Sequence, residues 1–289
     1  MDAPRYCYRH PDRETGLSCS ECGRPICYEC MTPAPVGIRC PEHSGKPQGI
    51  QKVTRAAERA VTGVGGRRVN AVTLGLIAIN VGVVVFELAS GSGASFTNNS
   101  IFEQGSLFAT GYVSASGQPL GVAHGEWWRL FTSMFLHASF FHLAVNMYSL
   151  YFVGTIMEQV IGRWRFLLLY LASGLAGSAG ALVWSPLQPT VGASGAIFGV
   201  LGGLLILERR RHIATGGQVA GLIVLNLVIT IAFSGSISVG GHVGGLIGGM
   251  VLMLALLQFQ RSTLYSIAAI AAVSAAAVIV AYAKVRNYH

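Results

Sequence analysis

Seven apolar blocks, each about 16–20 residues long, recur from residue 71 onward, and that is the length needed to cross roughly 30 Å of hydrocarbon. They lie at about 71–89, 140–157, 166–184, 192–207, 218–234, 240–258 and 264–283. A backbone in lipid must satisfy its own hydrogen bonds, so blocks of this kind are helices. Charge is correspondingly scarce: 11% of the 289 residues are charged and 52% are hydrophobic. A soluble domain of this size needs more charge to keep its surface wet. The pattern predicts an all-α polytopic membrane protein embedded in the lipid bilayer.

The net charge of +8 suggests nucleic acid until its distribution is read. Much of it sits in short loops, where it acts as an orientation signal and attracts anionic headgroups. With the N-terminus cytosolic, the inside segments hold Lys46, Lys52, Arg55, Arg59, Arg67, Arg68, Arg163, Arg165, Arg209, Arg210, Arg211 and Arg261. The outside segments hold Arg129, Lys284 and Arg286. This bias predicts an N-in topology and no nucleic-acid partner. The polar N-terminus lacks the apolar stretch of a signal peptide, so no cleavage is expected. The 37 glycines, with abundant alanine, suit a bacterial plasma membrane. Between the first two blocks, residues 90–139 carry Phe102, Phe108, Tyr112, Trp127, Trp128 and Phe131. Such aromatic anchors predict a structured loop lying partly in the outer leaflet.

All six cysteines fall in the first forty residues. With two histidines they form four pairs: Cys7-x2-His10, Cys19-x2-Cys22, Cys27-x2-Cys30 and Cys40-x2-His43. Eight such ligands suit two tetrahedral zinc ions, which would supply folding free energy to a segment with almost no apolar core. Disulfides, the other use of such cysteines, conflict with a cytosolic location. Two pairings are open. A cross-brace gives one ion Cys7, His10, Cys27 and Cys30 and the other Cys19, Cys22, Cys40 and His43; sequential pairing is the rival. The pattern resembles a B-box-type zinc finger. A closed set of eight ligands leaves no open coordination position, which favours binding of a cytosolic protein partner or regulation over catalysis by the metal. The expected organisation is a zinc-binding module at 1–44, a polar basic linker at 45–70, a six-span core at 71–258, and a further span with its tail at 259–289.

Spans two, four and six run from outside to inside in this topology, so their first residues lie near the outer face. Span two opens with His142 and Asn146, span four with Ser194, and span six with His242. Taken singly, each has a plain role to hand: a packing serine, an interfacial histidine satisfied by water, an asparagine bridging helices. Their common depth argues otherwise, because ionisable groups within a membrane are costly and usually functional. Span four also carries Gly195, Gly199 and Gly203, and span six Gly241, Gly245 and Gly249. Small residues at four-residue spacing let two helix backbones approach closely. If these ridges face each other, Ser194 can meet the His242 imidazole in the geometry of an activated nucleophile. Neither span four nor span six has a carboxylate beside this pair, so a dyad is expected rather than a triad. His142 and Asn146, four apart on one face, can join the Ser194 backbone N–H as donors to an oxyanion.

Together these residues resemble the rhomboid protease family over about Trp127–Gly249. The nucleophile motif stands as Gly192-Ala193-Ser194-Gly195 and the histidine motif as Gly241-His242-Val243-Gly244-Gly245. The HxxxN element stands as His142–Asn146, preceded by His137, and the tryptophan–arginine motif as Trp128-Arg129. Gly154-x3-Glu158-x3-Gly162 resembles a structural motif of the family. The resemblance implies a rhomboid-like six-helix core with one added C-terminal helix. It also implies hydrolysis of peptide bonds in transmembrane protein substrates, with Ser194 as nucleophile and His242 as base. His142, Asn146 and the Ser194 amide would line the oxyanion hole, and no cofactor would take part in the chemistry. Two other functions remain in view: a catalytically inactive adaptor that binds client helices, and a small transporter. The clustering of polar groups at one face rather than at the midplane disfavours the transporter.

Overall fold

The computed structural model describes residues 4–34, 37–44, 70–89, 96–97, 99–114, 116–213, 215–260 and 262–288. It divides into two compact units, Met1–Arg55 and Ala56–His289. The linker expected at 45–70 lies, apart from Asn70, outside the described residues.

The first unit is built from two small hairpins. Strands β1 (Tyr6–Cys7) and β2 (His10–Glu14) pair antiparallel, as do β3 (Thr32–Pro33) and β4 (Ile38–Arg39). Its interior consists of Cys7, Cys19, Ile26, Cys27, Cys30 and Cys40, with Tyr8 and Ile38 packed against them. One aliphatic side chain buried among thiols is too little apolar area to order some forty residues without further bonds.

In the second unit, seven apolar helices form close to where the sequence predicts them: α1 (Ala71–Ala89), α4 (Phe140–Ile161), α5 (Arg163–Trp184), α6 (Ser194–Arg209), α7 (Gln218–Ala232), α8 (Val239–Gln258) and α9 (Thr263–Val285). Five of them are long and apolar enough to cross a membrane. The other two, α6 and α7, have 16 and 15 residues. At 1.5 Å per residue they reach about 24 and 22 Å, short of a hydrocarbon layer of about 30 Å. The structural reason at α6 is Gly192: its φ of +123° keeps Val191–Ala193 out of the helix although those residues are apolar. Ser139, Ser238 and Ser262 cap the first turns of α4, α8 and α9 with their hydroxyls, which fixes where those helices begin.

Helices α5, α6 and α8 form the centre. A Cβ added to Gly245 would strike the Gly195 carbonyl oxygen, and one on Gly249 the backbone of Gly199. On the other side of α8, a Cβ added to Gly240 would strike the Gly180 carbonyl oxygen of α5, and one on Gly244 would lie 2.5 Å from the Ala176 carbonyl oxygen. The two glycine ridges therefore face each other as expected, with α6 and α8 parallel and α5 antiparallel to both. α6 is buried nearly all round, the mark of a central helix. The outer helices turn Phe86, Phe141, Tyr148, Val224, Ile231, Leu264 and Ile279 outward, the apolar belt a bilayer requires.

Two polar devices tie the periphery to this centre. Glu158, near the end of α4, accepts the backbone N–H groups of Val72 and Thr73 at 3.1 and 2.8 Å and the Thr73 hydroxyl at 2.8 Å. A carboxylate at a helix N-terminus satisfies orphan donors and meets the positive end of the helix dipole. Gly162, with φ +86°, then turns the chain directly from α4 into α5.

The second device is Arg129. It lies in the long loop between α1 and α4, and it is wholly buried. It begins the single turn α3 (Arg129–Thr132), and short α2 (Ser100–Gly105) lies before it. Its Nε donates to Glu126 at 2.7 Å, and its Nη1 donates to the Glu103 and Ser106 carbonyls at 2.6 and 2.8 Å. The guanidinium stacks 4.4 Å over the Phe108 ring. Hairpin β5 (Tyr112–Val113) with β6 (Pro119–Leu120) completes this loop. The described part of the loop is structured, as its aromatic content suggests, and an arginine organises it. The added helix α9 packs Ala277, Ala281 and Val285 against Leu107, Val122, Leu130 and Leu182.

Candidate active site and metal centres

Ser194 opens α6, and no side chain caps that helix. Its first-turn N–H groups are consequently free of a side-chain acceptor at the positive end of the helix. The preceding loop is pinned from two sides: Gly192 N–H donates to the Ser133 carbonyl at 2.8 Å, and Leu107 and Thr190 exchange backbone bonds at 3.0 and 2.8 Å. Gly192 also makes room for a ring. A Cβ there would lie 2.7 Å from Cε1 and 2.8 Å from Nε2 of His142, and 3.7 Å from Ser194 Oγ. Only glycine permits His142 to press against the backbone just before the serine. His137, wholly buried, packs edge-on against His142 with ring centroids 5.1 Å apart.

His242 lies in the first turn of α8 and is 6% exposed. Its ring stacks on Phe198, one turn along α6 from Ser194, with centroids 4.1 Å apart and planes 17° apart. Its Nδ1 lies 2.7 Å from the Thr230 hydroxyl of α7. Ser194 and His242 thus stand on adjoining helix ends: a Cβ added to Gly195, beside the one, would lie 3.3 Å from the carbonyl oxygen of Gly241, beside the other. Among the described residues no hydrogen bond joins the two side chains. Asn146 is buried, and its Nδ2 donates to the His142 carbonyl at 2.9 Å. One of its two amide hydrogens is so committed, and the other is left for a ligand.

Two cavities adjoin these residues. One of about 880 Å³ is lined by His142, Ser185, Thr190, Val191, Ser236 and Ser238 among others. A second of about 20 Å³, enough for one water, is lined by Ser194 with Ser133, Ser178, Thr190 and Ser238. The larger one holds His142 but not Ser194; the two share Thr190, Val191 and Ser238, so they are adjacent. Their hydroxyl-rich walls suit water rather than lipid.

Thr230, Phe198 and the Arg129–Glu126 pair are absent from the sequence-derived site. Thr230 and Asn226 were visible as polar residues in an otherwise apolar span, the same signal that singled out His142 and Ser194.

In the cysteine unit the eight ligand candidates form two groups, Cys7–His10–Cys27–Cys30 and Cys19–Cys22–Cys40–His43, with donor atoms within 4.8 Å of one another in each. This is the cross-brace. His10 Nδ1 lies 3.7, 3.3 and 3.4 Å from the sulfurs of Cys7, Cys27 and Cys30. His43 Nδ1 lies 3.1 Å from Cys40 Sγ, and Cys22 and Cys40 Sγ are 3.8 Å apart. A tetrahedron with zinc–ligand bonds near 2.3 and 2.0 Å has edges of about 3.8 Å between sulfurs and about 3.5 Å from sulfur to nitrogen. The donors fit zinc, and the cysteines are all free of disulfides. Burial pushes the Cys7 thiol up, but backbone N–H groups of Cys27 and Arg9 together with His10 outweigh it and bring its pKa down to about 6. The thiolate is the ligand form.

Comparison with known proteins bears on the helical unit. The family model of the Rhomboid domain matches residues 124–259. Rhomboid protease GluP of Bacillus subtilis is 46% identical over 125 residues, 42% of this chain and 24% of that protein. YdcA of the same organism is 41% identical over 122 residues, 42% of this chain and 61% of YdcA. An Arabidopsis thaliana protein named as an inactive rhomboid-like protein is 33% identical over 108 residues, 37% of this chain and 31% of its own length. The chain therefore spans only part of each relative, and the relatives include both a named protease and a named inactive form. Residues 124–259 therefore match the Rhomboid domain, and over that stretch the chain is similar to rhomboid proteins.

Proposed function

We propose that this protein is an intramembrane serine endopeptidase that cleaves transmembrane segments of other membrane proteins with a Ser194–His242 dyad. The observation that carries the reading is the α6–α8 glycine seam. It brings two helix ends within backbone contact, one opening with a serine and the other with a histidine, while His142 lies against Gly192 beside them. Nothing in the packing of α6 and α8 alone requires those polar groups at that depth. The shortness of α6 adds to this. With Arg209 and its neighbours at one membrane face, a helix of about 24 Å ends below the other face.

In the proposed reaction Ser194 Oγ attacks the scissile carbonyl as its proton passes to Nε2 of His242. The carbonyl oxygen gains negative charge and takes hydrogen bonds from the Ser194 backbone N–H, His142 and Asn146, each such donor lowering the barrier by about 2.7–4 kcal/mol. Collapse breaks the C–N bond, and His242 gives its proton to the leaving amine. A water from the adjoining cavities then attacks the acyl-serine by the same route. The serine and histidine close to hydrogen-bond distance when substrate enters, since such bonds are often long in free enzymes. The chemistry needs no metal.

The proposed orientation has the N-terminus in the cytosol and the site opening to the external face, in a bacterial plasma membrane. The arginines at the α4–α5 turn and at the end of α6 lie at the end opposite Ser194 and His242, which accords with the positive-inside rule. The cysteine module would hold two structural zinc ions and bind a cytosolic protein or regulate the enzyme. Deleting residues 1–44 tests that role, and an unchanged substrate range and partner set would remove it.

The decisive experiment is cleavage of a model transmembrane substrate by wild type, Ser194→Ala and His242→Ala. Both variants are expected to lose turnover while keeping the wild-type melting temperature. Persistent cleavage by Ser194→Ala would end the proposal. An inactive adaptor is the second reading, favoured by the open Ser194–His242 pair and by the inactive relative. Labelling with a fluorophosphonate separates the two, because an adaptor would take up no Ser194-dependent label.

A further inference from the structure

Helix α7 buries only Val219, Ile223 and Thr230 and turns most of its other apolar side chains outward. Thr230 is the polar member of that set. Its hydroxyl lies 2.7 Å from His242 Nδ1 and 2.6 Å from the backbone carbonyl oxygen of Asn226, one turn back in α7. A threonine hydroxyl has one hydrogen, and a carbonyl oxygen can only accept. The hydrogen is therefore committed to Asn226, and the contact with the imidazole is a bond in which Nδ1–H donates to Thr230 Oγ1. With the proton on Nδ1, Nε2 keeps its lone pair. In the reverse arrangement the hydroxyl hydrogen turns to Nδ1 and leaves two oxygens 2.6 Å apart with no hydrogen between them. In a dry interior that is costly.

We infer that Thr230 is a positioning residue for the Ser194–His242 chemistry: it holds His242 as the Nδ1–H tautomer, with the ring fixed against Phe198, so that Nε2 is free to take the serine proton. The inference rests on the dyad reading and deepens it. A carboxylate does this work in a serine–histidine–aspartate triad. A neutral hydroxyl does it here without burying a charge among lipid-facing helices, where an unpaired carboxylate is expensive. This also accounts for a dyad with no acid behind the histidine: the third partner comes from a helix that carries no acidic residue.

The test compares Thr230→Val, which keeps the shape and removes the hydroxyl, with Thr230→Ser, which keeps the hydroxyl and removes the methyl. Both are made in the full-length protein reconstituted in lipid, with Ser194→Ala as the control. Thr230→Val is expected to lower kcat and the rate of fluorophosphonate labelling by about 10–100-fold, a part of what a general base contributes. KM should stay within about twofold, and Thr230→Ser within about threefold of wild type in every parameter. Nitrogen-15 spectra of the labelled His242 ring should report the single Nδ1–H tautomer in wild type and Thr230→Ser, and a mixture in Thr230→Val. Wild-type kinetics in Thr230→Val, an equal loss in Thr230→Ser, or unchanged tautomer populations would each overturn the inference. Cleavage that survives Ser194→Ala would instead overturn the dyad itself. The tautomer spectra remain readable in either event.

Discussion

Among the described residues of the first unit one aliphatic side chain, Ile26, is fully buried and the rest of the interior is cysteine; in the helical unit α6 and α8 pack glycine backbone against glycine backbone so closely that Gly245 and Gly249 leave no room for a Cβ. The first unit is too small to bury much apolar surface, and its two Cys/His groups are suited to supply the missing stability through a few strong metal–ligand bonds. The second has no water to exclude between its helices, so it depends on many weak contacts at close range. What each unit is sensitive to follows from that difference. One should fail all at once when an ion is lost, and the other should fail locally, where two backbones are pushed apart.

Zinc removal should give the largest effect. Structural zinc sites of this type contribute about 10–16 kcal/mol to folding, more than a small module has to lose. Chelation is expected to unfold residues 4–44, read as rapid tryptic cleavage at Arg9, Arg13 and Arg39, while the helical unit keeps its melting temperature. Metal analysis should find two zinc ions per chain. The pairing can be broken separately. In the cross-brace, Cys7→Ser with Cys27→Ser disables one ion only, and the double variant should retain the other. Cys7→Ser with Cys19→Ser should lose both. Sequential pairing reverses the two results.

The seam should respond next. Gly245→Val drives a side chain into the Gly195 carbonyl, whereas Gly221→Val in α7 meets nothing within 4 Å. Overpacking of this kind costs about 1–3 kcal/mol. The larger consequence is catalytic, since a displacement of about 1 Å can cost about 10²-fold in rate. Cleavage of a model substrate should fall by that order in Gly245→Val and stay at the wild-type rate in Gly221→Val. If both variants cleave normally, the seam does not set the distance between Ser194 and His242.

The same contrast decides what the sequence could disclose. The helices were legible because an apolar run of membrane length is seldom anything but a helix in lipid, and the glycine ridges because their spacing matches a helix face. Ser194 and His242 stood out as polar groups at a shared depth. The beginning of α6 was not legible: Val191-Gly192-Ala193 extends the apolar run, and hydropathy carries no trace of the positive φ that excludes them. Arg129 looked like a loop charge because its partners, Glu126 and the Glu103 and Ser106 carbonyls, are assembled only by the folded loop. Thr230 was visible as a polar residue in an apolar span, but its role was not, for a third reason. A threonine in a membrane helix ordinarily satisfies itself on the carbonyl four residues back, and it does so here as well; only the neighbouring helix gives the remaining lone pair a use. The eight Cys and His ligand candidates were plain from their spacing, but their grouping into two sets depends on how the two hairpins bring distant pairs together.

The smallest effect expected from this set lies at Glu158, and it tests whether a side chain can matter in a unit held by backbone contacts. Its two carboxylate oxygens accept three bonds from Val72 and Thr73. Glu158→Gln keeps the shape and one acceptor but turns an amide N–H group toward a backbone or hydroxyl donor. The loss of a helix-capping acceptor costs about 0.5–2 kcal/mol, and loss of the negative charge removes up to about 1 kcal/mol more of attraction to the helix dipole. The melting temperature in lipid should fall by a few degrees, with α1 loosening first, read as faster amide exchange at Val72 and Thr73. Because Glu158 sits at the end of the unit away from Ser194, kcat of the folded fraction should be unchanged. Equal stability of Glu158→Gln and wild type would mean that α1 is held by packing against α4 alone, and a fall in kcat without a fall in stability would mean that this end of the bundle communicates with the site.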